Sequence, residues 1–206
     1  TPEGTVVVTH GEVKAISATP DAGYHATGWT REAGAAVTFG NAASASTTVK
    51  LEAGDATVKA WSAPNDYVLT VTAGANGTTT PAGPVDVASG EARAVLATPG
   101  TGYHFLNWTL ENGSGVTIAD PNAASTTVTL TTGDAEVQAN FAINQYTLTV
   151  AHTGTGSTTP SGAVLVNHGA STTLTATPGT IDMLQGWTVT AGTGASIANP
   201  TSETAA

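Results

Sequence analysis

Trp29, Trp108 and Trp187 stand at equal intervals of 79 residues, and each closes the same phrase. In the middle copy it reads Ala97-Thr98-Pro99-Gly100-Thr101-Gly102-Tyr103-His104-Phe105-Leu106-Asn107-Trp108. The first copy opens at Ala18-Thr19-Pro20 and keeps Gly23-Tyr24-His25; the third opens at Ala176-Thr177-Pro178 but carries Ile181-Asp182-Met183 instead. The rest of the chain holds the same register without an insertion. Self-similarity at a fixed period marks a tandem array of folding units. The units are 1–66, 67–145 and 146–206.

A unit of 79 residues removes only about 60% of its unfolded surface from water, so each core is modest. Its local pattern is that of strands. Tyr67-Val68-Leu69-Thr70-Val71 and Tyr146-Thr147-Leu148-Thr149-Val150 alternate in the manner of half-buried strands. Strands are expected at 6–8, 13–18, 24–30, 37–39, 46–51 and 57–61. In the second unit they are expected at 67–71, 85–87, 92–98, 103–110, 116–118, 125–130 and 135–141. Asn76-Gly77 signals a tight hairpin turn, and residues 127–141 read as a second hairpin. No segment keeps a 3.6-residue apolar period over three turns. Short strands with turn signals every 8–12 residues predict an all-β array of small sandwich-like repeats with little or no helix.

Composition excludes several function classes. The chain has no Cys, hence no disulfide or thiolate site. Its net charge is −10 and no Lys or Arg follows Arg93, so the basic patch that nucleic acid or an anionic membrane surface requires cannot be built. It lacks an apolar run long enough to span a bilayer.

The second unit resembles the divergent internalin-type B repeat of bacterial surface proteins. The residues that carry the resemblance are Tyr67-x-Leu69-x-Val71, Thr80-Pro81-x-Gly83, Gly90-Glu91, Pro99-x-x-Gly102-Tyr103-x-Phe105-x-x-Trp108, and Thr127-Val128-x-Leu130-x-x-Gly133-Asp134-Ala135-x-Val137-x-Ala139-x-Phe141. The resemblance implies a small β-rich module related to a β-grasp fold, a secreted or wall-attached protein, and no catalytic residues. Departures are Trp61 where the second unit has Asn140, Ser62 in place of Phe141, and the lost Gly-Tyr of the third unit.

Candidate sites were weighed against plainer roles. Tyr24, Trp29, Tyr103, Phe105, Trp108, Phe141 and Trp187 are expected to form the structural core, because aromatics dominate small cores. Tyr103 and Trp108 are also the candidates for a sugar-stacking face. His25 and His104 recur at equivalent positions, one unit apart, too far to share a metal ion. Asp120-Pro121-Asn122, Gly54-Asp55 and Gly133-Asp134 are candidate calcium ligands, although Asx residues in turns usually bond their own backbone. No nucleophile elbow is present, and carboxylates such as Asp86 and Glu91 fall on polar turns. Asn76, Asn107 and Asn112 match the glycosylation pattern. A Lys–Asn isopeptide cross-link is open only to the first unit, which holds Lys14, Lys50 and Lys59.

The sequence therefore reads as a non-catalytic extracellular structural repeat without cofactors, serving as stalk, fibre or adhesin spacer. Its partners are neighbouring repeats or copies of itself, with host or matrix glycans as further candidates. An end-to-end filament subunit joined by strand complementation is one alternative, and a carbohydrate-binding module is another. The filament reading arises because the first unit lacks a copy of the Tyr67–Ala73 strand and the third lacks a copy of residues 127–141, so both are expected to fray or to pair between molecules.

Overall fold

The computed structural model describes residues 4–205. None of the described residues is helical, so no helix among them is long and apolar enough to cross a membrane. The first repeat contributes β1 (Val13–Ser17), β2 (Tyr24–Gly34), β3 (Val37–Phe39), β4 (Ser46–Leu51) and β5 (Ala56–Pro64). The second contributes β6 (Asp66–Ala73), β7 (Gly77–Thr80), β8 (Gly83–Ala88), β9 (Ala92–Pro99), β10 (Tyr103–Asn112), β11 (Val116–Ile118), β12 (Ser125–Leu130) and β13 (Ala135–Ile143). The third contributes β14 (Gln145–Val150), β15 (Gly156–Thr159), β16 (Gly162–Asn167), β17 (Leu174–Pro178) and β18 (Thr204–Ala205). Strands β3, β4 and β5 return as β11, β12 and β13 with both boundaries displaced by one period, so the sequence repeat is also a structural one.

In the second repeat the strands form two four-stranded sheets, ordered β10-β13-β6-β8 and β11-β12-β9-β7. Strand β6 runs antiparallel to β8 and parallel to β13. Period-two alternation gives each sheet one apolar face. Leu69, Val71, Val87, Val137 and Ala139 are fully buried from the first sheet, and Val95, Ala97, Val128 and Leu130 from the second. Each of the Leu and Val side chains contributes about 1.5–3 kcal/mol on leaving water. Two apolar faces meeting in this way make a sandwich. The β-grasp alternative, which needs a helix across its sheet, is not adopted by the described residues.

Two hairpin expectations are corrected. Asn76 takes a positive φ of 69° and makes the expected tight turn, but β6 and β7 lie in different sheets. The turn thus carries the chain across the core. Likewise β12 and β13, within residues 127–141, pair with β9 and β11 on one side and with β6 and β10 on the other, never with each other. Both strands carry an apolar face, and that pattern is met equally by neighbours in one sheet or by opposite walls of a sandwich.

The chain divides into two compact units, one of residues 1–98 with 106–140, the other of residues 99–105 with 141–206. In the first unit, repeat one builds the sheet β1-β4-β3 and the pair β2-β5. Its Val6–Val8 segment forms no strand, and Val6 and Val7 are 59% and 91% exposed. The corresponding β8 is held by β6, and residues 4–65 contain no counterpart of β6. In the second unit, β14 pairs with β16, and β15-β17-β18 form a small sheet. Residues 179–203 form no strand. Their counterpart β10 leans on β13, and no described residue after 145 supplies a copy of β13.

Candidate functional site: tryptophan anchors and repeat joints

The recurring tryptophans share one set of bonds. The Trp29, Trp108 and Trp187 indole Nε1–H groups donate to the carbonyls of Ser44, Ala123 and Ser202, at 3.1, 3.1 and 3.0 Å. Their backbone N–H groups donate to Ala42, Pro121 and Pro200, at 2.7, 2.8 and 2.7 Å. Each indole therefore pins a loop fifteen residues downstream. Burial differs: Trp29 and Trp108 are buried, at 8% and 2% exposed, and Trp187 is half-buried. Thr47 and Thr126 reinforce the same loops, where their buried Oγ1 atoms accept from the N–H of Asn41 and Asp120 at 2.9 and 3.0 Å.

The other aromatics lie farther out. Phe105 and Phe141 are half-buried and meet edge-on, 6.2 Å apart between ring centres. Tyr103 is half-buried, and Tyr24 is 45% exposed, outside any core. Tyr24 sits beside a turn at the first residue of β2, where little packs against it. Trp108 is almost wholly covered and presents no open ring face to a sugar. Trp61 is 50% exposed, and its Nε1–H donates to Thr30 Oγ1 at 2.8 Å. At the equivalent place Asn140 Nδ2 donates to Thr109 Oγ1 at 3.0 Å and to Asn107 Oδ1 at 3.0 Å. The tryptophan thus stands in for an amide on the outer face of the sheet.

Among the described residues no three His, Asp or Glu side chains gather as metal ligands. Asp120 Oδ1 accepts from Asn122 N at 2.9 Å, as expected of a turn. Asp134 Oδ1 accepts from Val68 N at 2.8 Å, so it ties the turn before β13 to β6. Glu12 is drawn below its ordinary range because Thr9 N–H donates to its carboxylate at 3.0 Å. Two shallow grooves occur in the first unit. One, of about 510 Å³, is lined by residues such as Ile16, Asn41 and Thr48 and holds no titratable side chain. The other, of about 440 Å³, has Glu91 and Arg93 on its rim.

Sequence reasoning missed the joints between repeats. Within the first unit, Asn65 N–H donates to Gly23 C=O at 2.8 Å, and Ser89 N–H donates to Asn65 C=O at 2.8 Å. The Asn65 side chain is held too. Its Nδ2 donates to the Tyr67 hydroxyl at 3.3 Å, leaving Oδ1 to accept from His25 Nδ1 at 3.0 Å. Within the second unit the pattern returns. Asn144 N–H donates to Gly102 C=O, His168 N–H donates to Asn144 C=O, both at 2.8 Å, and His104 Nδ1 meets Asn144 Oδ1 at 2.9 Å. Each linker asparagine thus bonds the repeat before it through its N–H and Oδ1 and the repeat after it through its C=O. The available signal was the joint recurrence of His25 with Asn65 and His104 with Asn144, each pair forty residues apart.

Three matches to the family model of the divergent InlB B-repeat domain run end to end along the chain, at residues 1–65, 67–145 and 146–205. The chain belongs to the divergent InlB B-repeat family. No curated protein and no solved structure matches it. The B-repeat is a non-enzymatic repeat domain of bacterial surface or secreted proteins.

Proposed function

We propose that this B-repeat array is a structural spacer that holds another part of a bacterial surface protein away from the cell, as a stalk or adhesin segment. The observation that carries the reading is the joint. The backbone N–H and C=O and the side-chain Oδ1 of the linker asparagine are spent on neighbouring repeats at both Asn65 and Asn144, which suits a chain whose task is to fix one repeat against the next. The sandwich supports the same reading, because its recurring bonds, from Trp29 and Trp108 and to Thr47 and Thr126, hold loops to sheets.

The experiment is an in-frame removal of residues 67–145 from the parent protein on its native surface. One whole period is taken out and Asn65 still precedes a tyrosine-led strand. A tag at the distal end should move toward the cell wall by about 25–30 Å, the diameter of a compact unit this size, with ligand binding by the rest of the protein unchanged. Loss of that binding, or saturable retention of the isolated 206-residue chain on a glycan array, overturns the spacer reading.

A further inference from the structure

Gly23 and Gly102 occupy the closest approach of each joint. Gly23 has φ +83° and Gly102 φ +81°, a backbone region that disfavours other residues. A methyl group on Gly23 would run into Ser89 Oγ and come within 3.3 Å of Thr131 C=O; one on Gly102 would run into the His168 ring. The turn of one repeat is thus pressed against the turn that follows the third strand of the next. Two residues on, the His25 and His104 side chains bond the linker asparagine.

The third repeat departs at both positions, with Ile181 for the glycine and Met183 for the histidine. Both are open to solvent, at 96% and 84% exposed. A β-branched side chain at the glycine position disfavours the positive φ and fills the seat. A thioether at the histidine position has no N–H to give to an asparagine.

Resting on the spacer reading, we propose that residues 23–25 and 102–104 are the docking seat for the next repeat, and that the identity of this tripeptide decides whether one can dock. Gly-Tyr-His accepts a B-repeat introduced by Asn-x-Tyr. Ile-Asp-Met, at residues 181–183, does not, so the third repeat ends the run of fixed joints. The seat is an interaction surface specific for a repeat of its own family, and its sequence writes the length of the jointed run into the array.

The test is hydrogen exchange at the joint amides of the 206-residue chain. His25→Met brings in the third repeat's residue without backbone strain. Gly23→Asn fills the seat with a residue that tolerates positive φ. In the double variant, exchange at the Asn65 and Ser89 amides should rise at least tenfold, while the amides of the β9–β12 ladder keep their rates. Gly23→Asn alone should raise the same exchange, and adding Ser89→Gly to it, which removes the side chain that the new Asn meets, should restore most of the protection. Unchanged exchange at Asn65 and Ser89 overturns the proposal. So does failure of Ser89→Gly to rescue, since the effect would then be strain in the turn itself. Neither outcome bears on whether the parent protein uses the array as a spacer, which the deletion measures separately.

Discussion

Replacing Trp108 by alanine separates an anchor from an ornament. The side chain is 2% exposed, and its Nε1–H satisfies the Ala123 carbonyl at 3.1 Å. Truncating a buried aromatic of this size costs about 3–5 kcal/mol. A 79-residue unit has a total stability of about 4–12 kcal/mol at the usual stability per residue. The substitution therefore removes between about a quarter and all of it, and the melting temperature of the repeat falls by about 12 °C or more. Trp187→Ala deletes the same group from a half-buried place and should cost about 1 kcal/mol, with Trp29→Ala nearer to Trp108→Ala. Fluorescence is unsuitable because the probe is removed. Hydrogen exchange of the Leu69, Val71 and Val137 amides reports the second repeat alone. A cost below about 1 kcal/mol for Trp108→Ala, or an equal cost for Trp187→Ala, would refute the claim that burial gives the indole its weight.

Thr126→Val keeps the shape of the buried side chain but leaves the Asp120 N–H without its 3.0 Å acceptor; a loss of about 1 kcal/mol is expected by urea unfolding. Glu12 should titrate below its ordinary value of 4.5 because its ionised form accepts the Thr9 N–H bond. A group whose folded value is depressed contributes its stability above the unfolded value, and loses it as pH falls through the folded one. The Thr9 amide signal should therefore hold steady above about pH 4.5 and shift below it, and a Glu12 midpoint above 4.5 in a carbon-13 titration contradicts the bond. Calorimetric titration with Zn²⁺ or Ca²⁺ should show no micromolar site, since the turn carboxylates Asp120 and Asp134 are engaged by backbone N–H groups.

What was legible in the sequence was local. The 79-residue period, the strand segments and the turns at Gly and Asn follow from alternation and backbone preference, which act over a few residues. Which strand lies beside which was not legible. Residues 125–130 and 135–141 alternate as a hairpin would, yet they face each other across the core. The parallel pairing of β6 with β13, Leu69 beside Ala135, joins residues 66 positions apart, beyond any local signal. Tyr24 and Tyr103 occupy the same place in the repeat as residues read as core, but they sit at the joint end of their strands, where burial depends on the neighbouring repeat. As sequence, the histidines suggest metal ligands first. Their partner is an amide forty residues away, and only the joint recurrence of the two residues one period on marks them as a pair.

The account stands on the joint at Asn65 fixing the first repeat against the second. Residual dipolar couplings of the backbone amides in residues 13–98 and 106–140 measure this directly, because every strand on either side reports its orientation in one frame. A single alignment tensor should fit the strands of both repeats together, and Asn65→Ala should split it into two. Separate tensors in the unaltered protein, with the two repeats reorienting independently, would contradict it.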